Sequence, residues 1–102
     1  MNILVTGSSG FIGTYLIRIL RSYGFNTIGV DIKPKPETTD LIIDIRDYDC
    51  LYQSMKNKTI DACIHLAART DLHGKSLSAY TSNTVGTFAI CKLIKACSIP
   101  NI

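Results

Sequence analysis

The segment Thr6-Gly7-Ser8-Ser9-Gly10-Phe11-Ile12-Gly13 carries a glycine at every third position. It separates a short apolar run from an amphipathic stretch. Such a turn can seat an anion. Gly7 permits a tight reversal, Gly10 lets an anionic group reach the backbone, and Gly13 lets a following helix pack closely on a sheet. The N–H groups of that helix's first turn would point at a phosphate, with the helix dipole behind them. A plain strand-to-helix connection also uses glycines. The strand before and the helix after favour the phosphate reading.

A second candidate, Asp31, closes the next apolar run. An acid at the end of that strand can accept hydrogen bonds from both hydroxyls of a ribose, and its charge repels a 2′-phosphate. Diphosphate plus ribose is the chemistry of a dinucleotide. Asp31 favours NAD over NADP, and the nearby Lys33 and Lys35 soften that preference.

The elements that must position these residues follow from periodicity. Asn2 to Thr6 form a buried strand. Ile12, Leu16, Ile19 and Tyr23 recur at helical spacing, and Gly24 sits where a left-handed cap belongs. Thr27 to Asp31 and Leu41 to Ile43 are further strands. Asp47 can cap a helix running to about Asn57. Ile60 to Leu66 form a fourth strand. A long helix spans about Ser78 to Ser98 and is stopped by Pro100. Lys33 to Thr39, with two prolines, read as a surface loop. Strands alternating with helices predict an α/β fold with a parallel sheet and right-handed crossovers. Ligands of such sheets bind beyond the strands' carboxyl ends. Thr6-Gly7, Asp31, Asp44 and the loop after Leu66 all fall there.

The bulk properties narrow the class. With 102 residues, 46% apolar and 19% charged, the chain suits one globular unit. The formal net charge is only +3, without a basic stripe, which argues against nucleic acid. The start lacks a secretory pattern, and no apolar run approaches the ~20 residues of a membrane span. A cytoplasmic protein without a membrane partner is expected. Cys50, Cys63, Cys91 and Cys97 form no paired motif and fall in apolar segments. They predict reduced, small hydrophobes rather than a metal site. No Ser-His-Asp constellation is visible.

Four segments together resemble the extended short-chain dehydrogenase/reductase family, the NAD-dependent nucleotide-sugar epimerases and dehydratases. They are the glycine turn 6–13, Asp44-Ile45-Arg46-Asp47, His65-Leu66-Ala67-Ala68 and Asn83-Thr84-Val85-Gly86-Thr87. The resemblance implies a Rossmann-type sheet with flanking helices, here of about four strands ordered 3-2-1-4. Residues 1–102 would be the N-terminal portion of an NAD(P)-binding domain, without a substrate domain. It implies that Phe11 and Ile12 hold the diphosphate by their backbones and that Asp31 holds the adenosine ribose. Asp44 would take the adenine amino group, with the Ile45 backbone beside it. Leu66, Ala67 and Ala68 would line the nicotinamide side, with Thr70 near the phosphates. Asn83 shares an apolar helical stripe with Gly86, Ile90, Leu93 and Cys97, so its amide must find backbone or cofactor partners. The family role favours the cofactor.

The family's catalytic Ser or Thr and its Tyr-x-x-x-Lys pair follow a fifth strand, which would begin near Pro100-Asn101-Ile102. The one such pair here, Tyr52 and Lys56, lies on a helix remote from the strand ends and reads as helix surface. His65 reads as a satisfied core histidine. Arg69, Asp71 and His73 sit on a loop open to two readings, substrate contact or plain solvation, of which solvation is preferred. The expected function is the cofactor-binding part of an enzyme that transfers hydride between a nucleotide-sugar and nicotinamide. The alternatives are a non-catalytic NAD-binding or docking module, or an inactive product. Strand four would present an open edge where a second copy could pair.

Overall fold

A computed structural model describes residues 1–69, 71 and 73–102. Four parallel strands form one sheet: β1 (Asn2–Thr6), β2 (Asn26–Asp31), β3 (Leu41–Ile42) and β4 (Ala62–His65), in the order β3-β2-β1-β4. This is the predicted order. Alternate residues of β1 serve opposite layers. Ile3 and Val5 pack with Ile17 of helix α1 (Phe11–Ser22). Leu4 joins the larger core, with Leu51 and Met55 of α2 (Tyr48–Met55) and Ile90 and Leu93 of the last helix, α3 (Thr81–Ala96). A single 3₁₀ turn, Leu77–Tyr80, leads into α3.

Two of the helix limits have a local reason. Asp47 caps α2 by accepting the Cys50 N–H at 3.1 Å. Gly24, at φ 84°, closes α1 as expected. On α3 the predicted stripe is the buried one: Gly86, Ile90 and Leu93 face the core. On α1 the stripe is displaced. The helix meets the sheet through Gly13, Thr14 and Ile17, whereas Ile12, Ile19 and Tyr23 are 63%, 52% and 77% exposed. Of that stripe only Leu16 packs on this contact, half-buried, so the rest of the expected face flanks it. Gly13 explains the shift, because only its side of the helix can press against the turn beneath.

The 33–39 loop lies at the surface as expected, and it is pinned there. Thr38 is buried, Ser9 Oγ bonds the hydroxyls of Thr38 (2.8 Å) and Thr39, and Arg18 and Arg21 of α1 bind Glu37 through its carboxylate and its carbonyl. Of the cysteines, Cys63 is the buried hydrophobe expected, its thiol pushed up to about 12 by burial, and Cys97 packs half-buried against the same core; Cys50 and Cys91 are exposed, against expectation. After α3 the chain returns to the sheet. Asn101 bridges Ala62 in parallel, and Cys63 N–H donates to the Asn101 carbonyl at 2.9 Å. The outer edge of β4 is thus engaged at its first residues.

Candidate functional site

A groove runs along the carboxyl ends of the strands. Its main part, about 590 Å³, is bounded by Gly7, Asp31, Asp44, Ala67 and their neighbours. A smaller part, about 260 Å³, lies over the opening of α1 and shares Gly7, Gly10, Leu66 and Ala68 with the first.

The floor is backbone. Gly7 has φ 71°, and a Cβ there would stand 2.7 Å from the Ala67 nitrogen. A side chain is excluded both by conformation and by β4's outgoing loop. Gly13 is tighter still: its Cβ would stand 2.0 Å from the Gly7 carbonyl oxygen. At Gly10 the nearest such atom is 3.4 Å away, so nothing in the fold demands glycine there. What a methyl at Gly10 would occupy is the groove. Thr14 N–H donates to the Gly10 carbonyl, the first bond of the α1 ladder. The N–H groups of Phe11, Ile12 and Gly13 precede that ladder, and no side chain caps them. Acids are missing from this first turn, and Lys35 Nζ donates to Thr14 Oγ1 at 3.1 Å. The opening is therefore electropositive, as an anion seat requires.

The acidic wall faces this floor. Asp31 accepts the Ser9 N–H on Oδ2 and the Lys33 N–H on Oδ1, both at 2.9 Å. Both oxygens keep further acceptor capacity toward the groove. Asp44 is gripped by Arg46, whose Nε and Nη2 donate to its carboxylate at 3.0 and 2.5 Å. Those hydrogen bonds hold the Asp44 carboxyl below its ordinary range.

The third side is the outgoing loop of β4. Thr6 Oγ1 accepts the N–H groups of Leu66 and Ala67 at 3.1 and 3.2 Å. With both lone pairs engaged, its hydroxyl must donate to His65 Nδ1, 2.6 Å away. His65 is then the Nε2–H tautomer and donates to Thr87 Oγ1 at 3.0 Å. Burial pushes its pKa down, in keeping with a neutral ring. His65 is the satisfied histidine expected, and it steadies the rim at Leu66 and Ala67.

Of the sequence-predicted residues, Gly7, Gly10, Phe11, Ile12, Gly13, Asp31, Asp44, Ile45, Leu66, Ala67 and Ala68 all line the two parts of the groove. Asn83 does not. Its amide takes the Arg69 N–H at 2.6 Å and donates to the Arg69 carbonyl at 2.9 Å, so it pins the loop from behind. Thr70 lies outside the described residues. Arg46 and Ser82 line the groove without having been assigned a role. Arg46 carried a signal, an arginine two residues after the acid; Ser82 carried none. Tyr52 stacks on Tyr48, with ring centroids 6.0 Å apart, on α2 and away from the groove.

A profile of the NAD dependent epimerase/dehydratase family matches residues 3–102. The chain belongs to that family. It is 41% identical over 90 residues to a GDP-6-deoxy-D-talose 4-dehydrogenase of Aggregatibacter actinomycetemcomitans, covering 85% of this chain and 28% of that protein. It is 33% identical over 102 residues to the UDP-glucose 4-epimerase of Halalkalibacterium halodurans, covering 90% and 30%. The crystal structure of the UDP-glucose-4-epimerase of Stenotrophomonas maltophila, with bound NAD and formylated UDP-arabinopyranose, superposes with a TM-score of 0.83. It is 26% identical, and the match covers 97% of this chain and 34% of that one. The chain thus spans about a third or less of each of these proteins. Among the described residues, no helix is long and apolar enough to cross a membrane, and no group of His, Cys, Asp and Glu could hold a metal.

Proposed function

We propose that residues 1–102 form the N-terminal, dinucleotide-binding portion of a nucleotide-sugar epimerase or dehydratase, and that the dinucleotide is NAD. The observation that carries this reading is the uncapped first turn of α1, opening onto a groove with Asp31 on its far wall. The diphosphate sits over Gly10 and takes the N–H groups of Phe11, Ile12 and Gly13. Asp31 accepts the hydroxyls of the adenosine ribose. Asp44 and the Ile45 backbone meet adenine. Leu66, Ala67 and Ala68 border the nicotinamide half, where the two alanines leave room for a flat ring. Asn83 serves the cofactor indirectly, through the loop it fixes at Arg69.

NAD is preferred to NADP because a 2′-phosphate would meet the Asp31 carboxylate. Lys33 lines the groove beside it, but Lys35 is spent on Thr14, so one lysine at most could offset that repulsion. When bound, the nicotinamide supplies the hydride acceptor; the sugar substrate, nucleotide-linked as in the relatives' names, would be oxidised against it. This setting is cytoplasmic, in keeping with four free thiols.

Calorimetry on the purified chain tests the reading. NAD is expected to bind, and Asp31→Ala is expected to weaken NAD while leaving NADP nearly unchanged. Absence of NAD binding, or equal loss of both dinucleotides, overturns the assignment.

A further inference from the structure

We infer that Arg46 makes the groove selective for adenine: it is a positioning residue that holds the Asp44 carboxylate so that one acceptor position stays open to an exocyclic amino group. This rests on the dinucleotide reading above and adds to it a residue and a specificity.

The geometry is local and complete. Asp44 Oδ1 accepts the Arg46 backbone N–H and Nε, each at 3.0 Å. Oδ2 accepts Nη2 at 2.5 Å, with Nε also 3.1 Å away. Three N–H groups make this grip, the Nε one shared between both oxygens, and a carboxylate offers about four acceptor positions, so room remains for one further donor. The remaining end of the guanidinium is also tied: Nη1 donates to Thr81 Oγ1 at 2.9 Å, at the first residue of α3. Arg46 therefore joins the two sides of the groove mouth, and Asp44 cannot swing without breaking a bidentate pair. The slot beside it is apolar. Ile43 and Ile45 are buried, and both line it together with Ala79. Ile45 is itself wedged on α3, where a Cβ at Gly86 would stand 2.5 Å from its Cδ1. A flat base entering this slot presents its edge to a fixed, acceptor-only group.

That edge decides selectivity. The 6-amino group of adenine donates to a carboxylate. The 6-oxo group of hypoxanthine presents lone pairs and is repelled. Without Arg46 the Asp44 side chain is free to rotate away from either base. Lysine would keep the charge but not the fork that grips both oxygens.

The test is calorimetric binding of NAD and of the dinucleotide carrying hypoxanthine in place of adenine, to wild type, Arg46→Ala and Arg46→Lys, with thermal melts alongside. Wild type should prefer NAD by about tenfold or more, the scale of a hydrogen bond to a charged group. Both variants should lose most of that ratio, through weaker NAD binding and little change for the analogue. Should Arg46→Ala unfold, Arg46→Lys decides on the same ratio. An equal loss of both dinucleotides marks Arg46 as merely structural and overturns the inference, as does an unchanged ratio. Wild type that binds both dinucleotides equally overturns this inference alone; wild type that binds neither overturns the dinucleotide reading.

Discussion

The turn Gly7–Gly13 and the wall of Asp31, Asp44 and Arg46 face one another across one groove, yet they are held by different means. The turn is fixed by what is missing. Absent Cβ atoms let the Gly7 carbonyl and the α1 backbone approach to distances no other residue allows. The wall is fixed by what is present, a set of hydrogen bonds from Ser9, Lys33 and Arg46 onto two carboxylates. A backbone seat tolerates almost no substitution but recognises only the shape and charge of a phosphate. A side-chain wall can be altered without collapse and carries the discrimination between similar ligands. Substitutions at Gly7 and Gly13 should therefore cost the fold, and substitutions in the wall should cost selectivity.

The sharpest break of that contrast is Gly13→Val. Its Cβ would meet the Gly7 oxygen at 2.0 Å, and backbone cannot yield as a side chain can. We expect a loss of about 3 kcal/mol or more, the upper range for overpacking, read as a drop in the urea midpoint. Gly10→Ala should part folding from binding. Its methyl has ordinary room against the protein, so the melting temperature should hold, while NAD affinity falls by about tenfold because the methyl stands where the diphosphate must lie. If both glycine variants melt alike, Gly10 belongs to the fold and not to the seat.

On the wall, Asp31→Ala should keep the fold and lose about 1.5–3 kcal/mol of NAD binding, with NADP nearly unaffected. The smallest effect is expected at the rim. Burial pushes the folded-state pKa of His65 down, so the unfolded chain takes up its proton first as pH falls. The stability this gives is fully present above the unfolded value near 6.5 and is lost as pH falls through the folded value. The slope cannot exceed about 1.4 kcal/mol per pH unit, the limit for one proton. His65→Gln should flatten that part of the pH–stability curve. A curve with the same slope in the variant would assign it to another group.

The turn was legible in the sequence because glycine spacing records steric necessity directly. The strand order was legible for a similar reason: alternating strand and helix leaves few chain paths. Less could be read of the wall. Asp31 and Asp44 announced themselves as acids at strand ends, but the Arg46 grip on Asp44 depends on side-chain geometry that spacing does not encode. Asn83 shows the same limit. Its need for partners followed from burial, whereas their identity, the Arg69 backbone, depends on the path of the loop. On α1 the apolar positions were read correctly and their orientation was not. Ile12, Ile19 and Tyr23 stand beside the contact rather than in it, because Gly13 brings its own side of the helix down onto the turn.

The central claim is that main-chain amides at the opening of α1 seat the dinucleotide's diphosphate. Amide nitrogen–proton correlation spectra of the chain, recorded with increasing NAD and separately with nicotinamide riboside, test it most directly. The account predicts that NAD shifts the Phe11, Ile12 and Gly13 amides most strongly and that the riboside, which lacks the diphosphate, leaves them in place. NAD binding that leaves those three amides unmoved would contradict it.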